Sequence, residues 1–78
     1  MPKIPRIKAK DFFKYLRKFG CEEISIKGSH HKVRYTKNNK VSVVAIHTNE
    51  ILYPGMFLGI LNELEINSKE FIEFMNKS

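Results

Sequence analysis

Two short alternating runs meet at Gly28-Ser29, and they constrain the fold more than any other stretch of the chain. Upstream, Ile24 and Ile26 alternate with Ser25 and Lys27; downstream, Val33 and Tyr35 alternate with Lys32 and Arg34. A period of two sends successive side chains to opposite faces, so each run reads as a half-buried antiparallel strand and Gly28-Ser29 as the turn between them. With the second strand starting at His30, its solvent face carries His30, Lys32 and Arg34. Its inward face carries His31, Val33 and Tyr35. Two adjacent histidines thereby acquire different surroundings.

The pattern changes to a helical one on either side of these strands. From about Lys10, the residues Phe12, Phe13, Leu16 and Phe19 recur at helical spacing, Arg17 and Lys18 suit the C-terminal end of the dipole, and Gly20 sits where a glycine ends helices. The start of this helix is weakly signalled, because Lys8 and Ala9 are poor caps and Asp11 helps only through the dipole. Its aromatic stripe has the spacing of a core face rather than of a base-stacking surface. Residues 1–9, with Pro2, Pro5 and three basic residues, read as an irregular arm.

Lys37-Asn38-Asn39-Lys40 reads as a hairpin turn, since asparagine tolerates positive φ. A third strand follows over about Val41 to Ile46, closed by His47; its two faces, Val41/Val43/Ala45 and Ser42/Val44/Ile46, are both largely apolar, so the pattern does not choose the buried one. Residues 48–53 read as a loop. Pro54 suits a first helical turn, and Phe57, Ile60, Leu61 and Leu64 form its inward stripe, although Gly55 and Gly59 each weaken the helix by up to ~1 kcal/mol relative to alanine. Ser68 then caps a short helix with Phe71, Ile72, Phe74 and Met75. The order helix, three strands, helix, helix predicts an α+β fold: a three-stranded antiparallel sheet with the helices on one face and the other face open.

Seventy-eight residues suit one small domain, 1–78, which buries only about 60% of its unfolded surface. Its charge is one-sided: residues 1–40 hold twelve Lys/Arg against three acids (+9), and residues 41–78 two against five (−3). Such a field favours polyanions, meaning nucleic acid or an acidic membrane surface, and the cations flank a histidine-bearing turn, which points to nucleic acid. No apolar run approaches the ~20 residues that span a bilayer, and Met1-Pro2-Lys3 opens no signal-peptide core, so a cytoplasmic location without membrane contact is expected. Cys21, the one cysteine, reads as a small packing residue in a reducing compartment.

Among chemistries, the strongest candidate is His30. An unperturbed imidazole exchanges a proton near neutral pH, and RNA brings its own nucleophile, the 2′-hydroxyl. A base that takes this proton, with cations to stabilise the phosphorane, cleaves the strand without metal. His30 is that base in this reading, with Lys27 and Lys32 as cations; on composition alone, an exposed histidine in a basic hairpin is the commoner case. A metal site from His30, His31 and His47 is disfavoured because adjacent strand residues diverge. A Ser29–His30 hydrolase pair fails for the same reason, and no phosphate loop, dinucleotide fingerprint or cysteine pair implies a small-molecule cofactor.

The Lys27-Gly28-Ser29-His30-His31 element resembles the signature of the HicA/YcfA toxin family. The similarity extends over nearly the whole chain: a Pro-rich basic start, a helix ending in Phe19-Gly20-Cys21, a strand ending in His47, then Leu52-Tyr53-Pro54-Gly55-Met56, an Ile60-Leu61 helix and a short helix after Ser68. The chain departs from the family pattern at Ala45, where proline is common, and at Lys8, where Ser or Thr is. The resemblance implies a fold like the double-stranded-RNA-binding domain, mRNA-interferase (endoribonuclease) activity, and neutralisation by a HicB-like antitoxin; the absence of a ligand set makes that activity metal-independent in this reading. It implies His30 as the catalytic histidine, Gly28 as the turn glycine and Ser29 as an RNA contact; the charge pattern adds Lys27, Lys32 and Arg34 as RNA-binding cations. The alternative is a non-catalytic RNA-binding module of the same fold, which binds by shape.

Overall fold

In a computed structural model, which describes residues 4–45 and 50–77, the chain is α+β. It runs β1 (Ile7–Lys8), α1 (Ala9–Phe19), β2 (Cys21–Lys27), β3 (His30–Tyr35), β4 (Val41–Ala45), β5 (Ile51–Leu52), α2 (Pro54–Glu63) and α3 (Ser68–Lys77). Strands β2, β3 and β4 form an antiparallel sheet in that order, and the three helices gather on one face of it, as the residue pattern predicts. Ile46 and His47, expected to finish the third strand, lie outside the described residues.

Helix α1 buries Phe12, Phe13 and Leu16 and stops at Gly20, whose φ of 124° is open to glycine and strained for other residues. The Gly20 N–H donates to the Leu16 and Arg17 carbonyls, and the hydroxyl of Thr36 donates to the Gly20 carbonyl, which ties the helix end to the close of β3. Phe12 is the centre of the core, its ring 5.0 Å from Phe57 of α2 and 5.6 Å from Phe71 of α3. Val33 and Val44 supply the sheet side of that core and are fully buried. Phe57, Ile60, Leu61 and Leu64 all face inward, so packing offsets the weak helix propensity of α2.

Three features differ from the expectations above, and a fourth settles a choice the pattern left open. The arm and the loop before α2 are not irregular throughout: Ile7 pairs with Leu52 and Lys8 with Ile51, making a second, two-stranded sheet. This pairing replaces the missing cap of α1, because the Ala9 N–H, one of the donors a helix start leaves open, reaches the Glu50 carbonyl at 2.9 Å. Helix α3 is capped by Asn67 rather than Ser68: Asn67 Oδ1 accepts the Glu70 N–H at 3.0 Å. Ile24 and Ile26 are 44% and 57% exposed, not half-buried together. A bulge between Glu23 and Ser25 inserts Ile24 as an extra residue, which shifts the alternation so that Glu23 and Ile26 share a face. Residues 24–28 of this edge strand and turn are all exposed, so Ile26, though on the helical side, gains little cover. Finally, the third strand resolves in favour of Ser42 and Val44 as the buried pair, leaving Val41 and Val43 on the open side.

Candidate functional site

Pairing registers place the site residues directly. Gly28, at φ 58°, and Ser29 form the hairpin loop, and Lys27 pairs with His30 across it. Residues opposite one another on paired strands share a face, with Cβ atoms roughly 5 Å apart. The open face is therefore three rows running from β2 through β3 to β4: Lys27, His30, Ala45; then Ser25, Lys32, Val43; then Glu22, Arg34, Val41. Each row ends apolar on β4. The surface thus passes from a polar and charged area on β2 and β3, with Lys27, Lys32 and Arg34, to an aliphatic strip on β4.

His30, Lys27 and Lys32 are exposed and neighbours on this face, as the alternation predicts. Among the described residues, neither lysine has a carboxylate within ion-pair distance, and the His30 ring makes no hydrogen bond. Both lysines are thus free to meet an anion. Arg34 stands apart. Its guanidinium is bound by the Glu22 carboxylate across the sheet, so the charge it offers to the open face is partly neutralised. Ser29, half-buried in the turn, lies next to His30 in the chain.

His31 occupies the other face. It pairs with Ile26 and Val44, its ring sits edge-on to Phe13 of α1 with centroids 5.2 Å apart, and its Nδ1 is 3.5 Å from Glu23 Oε1. That separation allows charge attraction but is too long for a good hydrogen bond, and buried Nδ1 makes none. Among the described residues, no three His, Cys, Asp or Glu side chains gather as metal ligands do. Burial pushes the Cys21 thiol up to about 11 from 9.0, and the residue packs in the core as expected.

The chain matches the family described as the HicA toxin of bacterial toxin-antitoxin over residues 9–66. It belongs to the HicA toxin family. The match spans α1, the whole three-stranded sheet and α2, so the open face and its histidine hairpin lie within the family's common part. No curated protein matches the chain closely enough to add a named relative. As a HicA-family protein it is the toxin of a toxin–antitoxin system, and an antitoxin partner goes with that assignment. Among the described residues no helix is long and apolar enough to cross a membrane.

One feature beside His30 escapes the residue pattern. His30 lines a cleft of about 270 Å³ together with Val43 and Ala45 of β4 and Met56, Gly59, Ile60 and Glu63 of α2. None of these partners stands near His30 in sequence. Gly59 was the available signal, as a glycine in a helix interior that neither turns the chain nor ends the helix.

Proposed function

We propose that this HicA-family toxin is a metal-independent endoribonuclease that cleaves mRNA with His30 as general base. The observation that carries the reading is the first row of the open face: an exposed imidazole beside Lys27, which has no carboxylate partner among the described residues, with Lys32 in the next row. RNA phosphate approaching this face meets two free ammonium groups, which orient it and stabilise the extra charge of a phosphorane. A ring nitrogen of His30 takes the 2′-hydroxyl proton, the 2′-oxygen bonds to phosphorus, and the 5′-oxygen leaves and is protonated by water. The products are a 2′,3′-cyclic phosphate and a 5′-hydroxyl. Gly28 holds the turn, Ser29 contacts the RNA, and Arg34, already shared with Glu22, contributes less than the lysines.

The partner in this reading is an acidic HicB-like antitoxin that covers the histidine hairpin and occludes His30, leaving the toxin folded and inactive. The site and location are those of a cytoplasmic enzyme without small-molecule cofactor. Cleavage assays test the chemistry. Activity is expected to survive EDTA, to require the ribose adjacent to the scissile phosphate, and to spare DNA. Loss of activity with chelator and its return with zinc or magnesium would place the site in the metal-dependent class. A purified toxin–antitoxin complex that cuts at the free toxin's rate would remove the occlusion.

A further inference from the structure

The cleft beside His30 has a composition that a phosphate does not want. Its sheet side is aliphatic, from Val43 and Ala45, and its α2 side is lined by Met56, Ile60 and one acidic residue, Glu63, at the exposed rim. An anion is repelled by that carboxylate, while Lys27 and Lys32 stand outside the cleft on the same open face. Backbone phosphate therefore belongs on the lysines. What suits the cleft is a neutral, flat, apolar ring that offers hydrogen-bond donors at its edge, which is the description of a nucleobase.

Gly59 strengthens this assignment. Met56, Gly59, Ile60 and Glu63 recur at the three- and four-residue spacing that makes one ridge of a helix, and glycine is a poor residue for a helix interior. Its φ is not in the left-handed region, and a Cβ built on it meets nothing within 4 Å. Neither backbone conformation nor close packing calls for glycine there. Its missing side chain leaves a notch in the ridge between Met56 and Glu63, and Gly59 lines the cleft at that notch.

We propose that this cleft seats one unpaired guanine of the RNA, next to the phosphate held at His30, with the Glu63 carboxylate accepting the guanine N1–H and N2–H. Guanine is the base whose Watson–Crick edge carries two parallel donors matched to two carboxylate oxygens. Because a paired guanine has that edge occupied, the substrate is single-stranded RNA. The proposal rests on the cleavage reading above and adds the base that the enzyme selects.

The experiment uses the full chain and short oligodeoxynucleotides with one ribonucleotide, the base on either side of the single cleavable bond being G, A, C or U. Wild type is expected to favour G over U by about ten-fold or more in kcat/KM. Glu63→Gln is expected to flatten that preference, and Gly59→Leu to lower kcat/KM about ten-fold or more on every substrate while the melting temperature holds or rises, leucine being the better helix former. Anisotropy with the His30→Ala protein reads base preference without chemistry: tighter binding of G than U in a protein whose wild-type form cuts nothing would retain the cleft and discard the cleavage reading. Absence of base preference in the wild type, a preference that survives Glu63→Gln, or wild-type cleavage by Gly59→Leu would overturn the guanine site. The last outcome, joined to a weakened antitoxin complex, would give the cleft to the protein partner instead.

Discussion

His30 stands on the open face of β3 between Lys27 and Ala45, whereas its neighbour His31 lies half-buried under Phe13 and beside Glu23. One residue step in a strand turns a side chain through half a revolution, and here that step separates solvent with free cations from a packed interface. The same side-chain chemistry thus has two fates. An imidazole beside lysines that have no carboxylate partner among the described residues is placed to meet a substrate; one wedged between a phenyl ring and a carboxylate is placed to hold the sheet to α1. Adjacent identical residues therefore serve as internal controls for each other.

Several experiments break or sharpen that contrast. His30→Ala is expected to lower RNA cleavage by about 10²–10⁴-fold, the range of general acid–base catalysis, with melting temperature nearly unchanged because no core contact is lost. In growing cells wild type is expected to arrest growth and His30→Ala is expected not to. A folded His30→Ala protein as toxic as wild type would hand the function to the non-catalytic RNA-binding alternative. RNA affinity of the open face is expected to fall roughly 10³-fold between 50 and 200 mM salt, for about six phosphate contacts. Affinity flat in salt would mean that the lysines do not carry binding.

His31→Ala works on the other side of the contrast. It removes the ring from Phe13 and leaves the Glu23 carboxylate half-buried without its neighbour, so it is expected to destabilise the fold by about 1–3 kcal/mol in urea or thermal melts. Cleavage per folded molecule is expected to stay close to wild type. A His31→Ala protein that melts normally but cannot cut would show the two histidines acting together. The smallest effect distinguishes the cations: Lys32→Ala is expected to reduce the slope of log affinity against log salt by about one, and Arg34→Ala by less, because Glu22 already holds that guanidinium. Equal losses would mean that Arg34 leaves Glu22 to bind RNA.

The opposite facing of His30 and His31 was legible because strand alternation is strict and the turn residues Gly28-Ser29 fix its phase. The helices were legible for the same reason at a different period, Phe12, Phe13 and Leu16 falling on one stripe. Alternation failed at Ile24, where the bulge adds a residue that no composition announces, and it could not choose a face for β4, whose two faces are similarly apolar. That choice follows from register: Val33 is inward, and Ser42 pairs with Val33. Two-residue strands such as β1 and β5 have no period to read. The cleft beside His30 was invisible for a deeper reason, since β3, β4 and α2 build it jointly and its clearest mark is a side chain that Gly59 lacks.

Cys21 opens β2, buried in the core, and is the only thiol in the chain. With its pKa moved from 9.0 to about 11, the reactive thiolate at pH 8 falls roughly 100-fold before any steric shielding is counted. Because the residue is also buried, an alkylating reagent reaches it chiefly through molecules in which the sheet edge has come away from the helices. The chain carries its own stopwatch for opening: the rate of mass gain in native buffer, divided by the rate in denaturant, gives the fraction of time that β2 spends detached. Adding antitoxin or RNA to the same reaction reports how firmly each clamps that edge, with no label, no tag and no substitution.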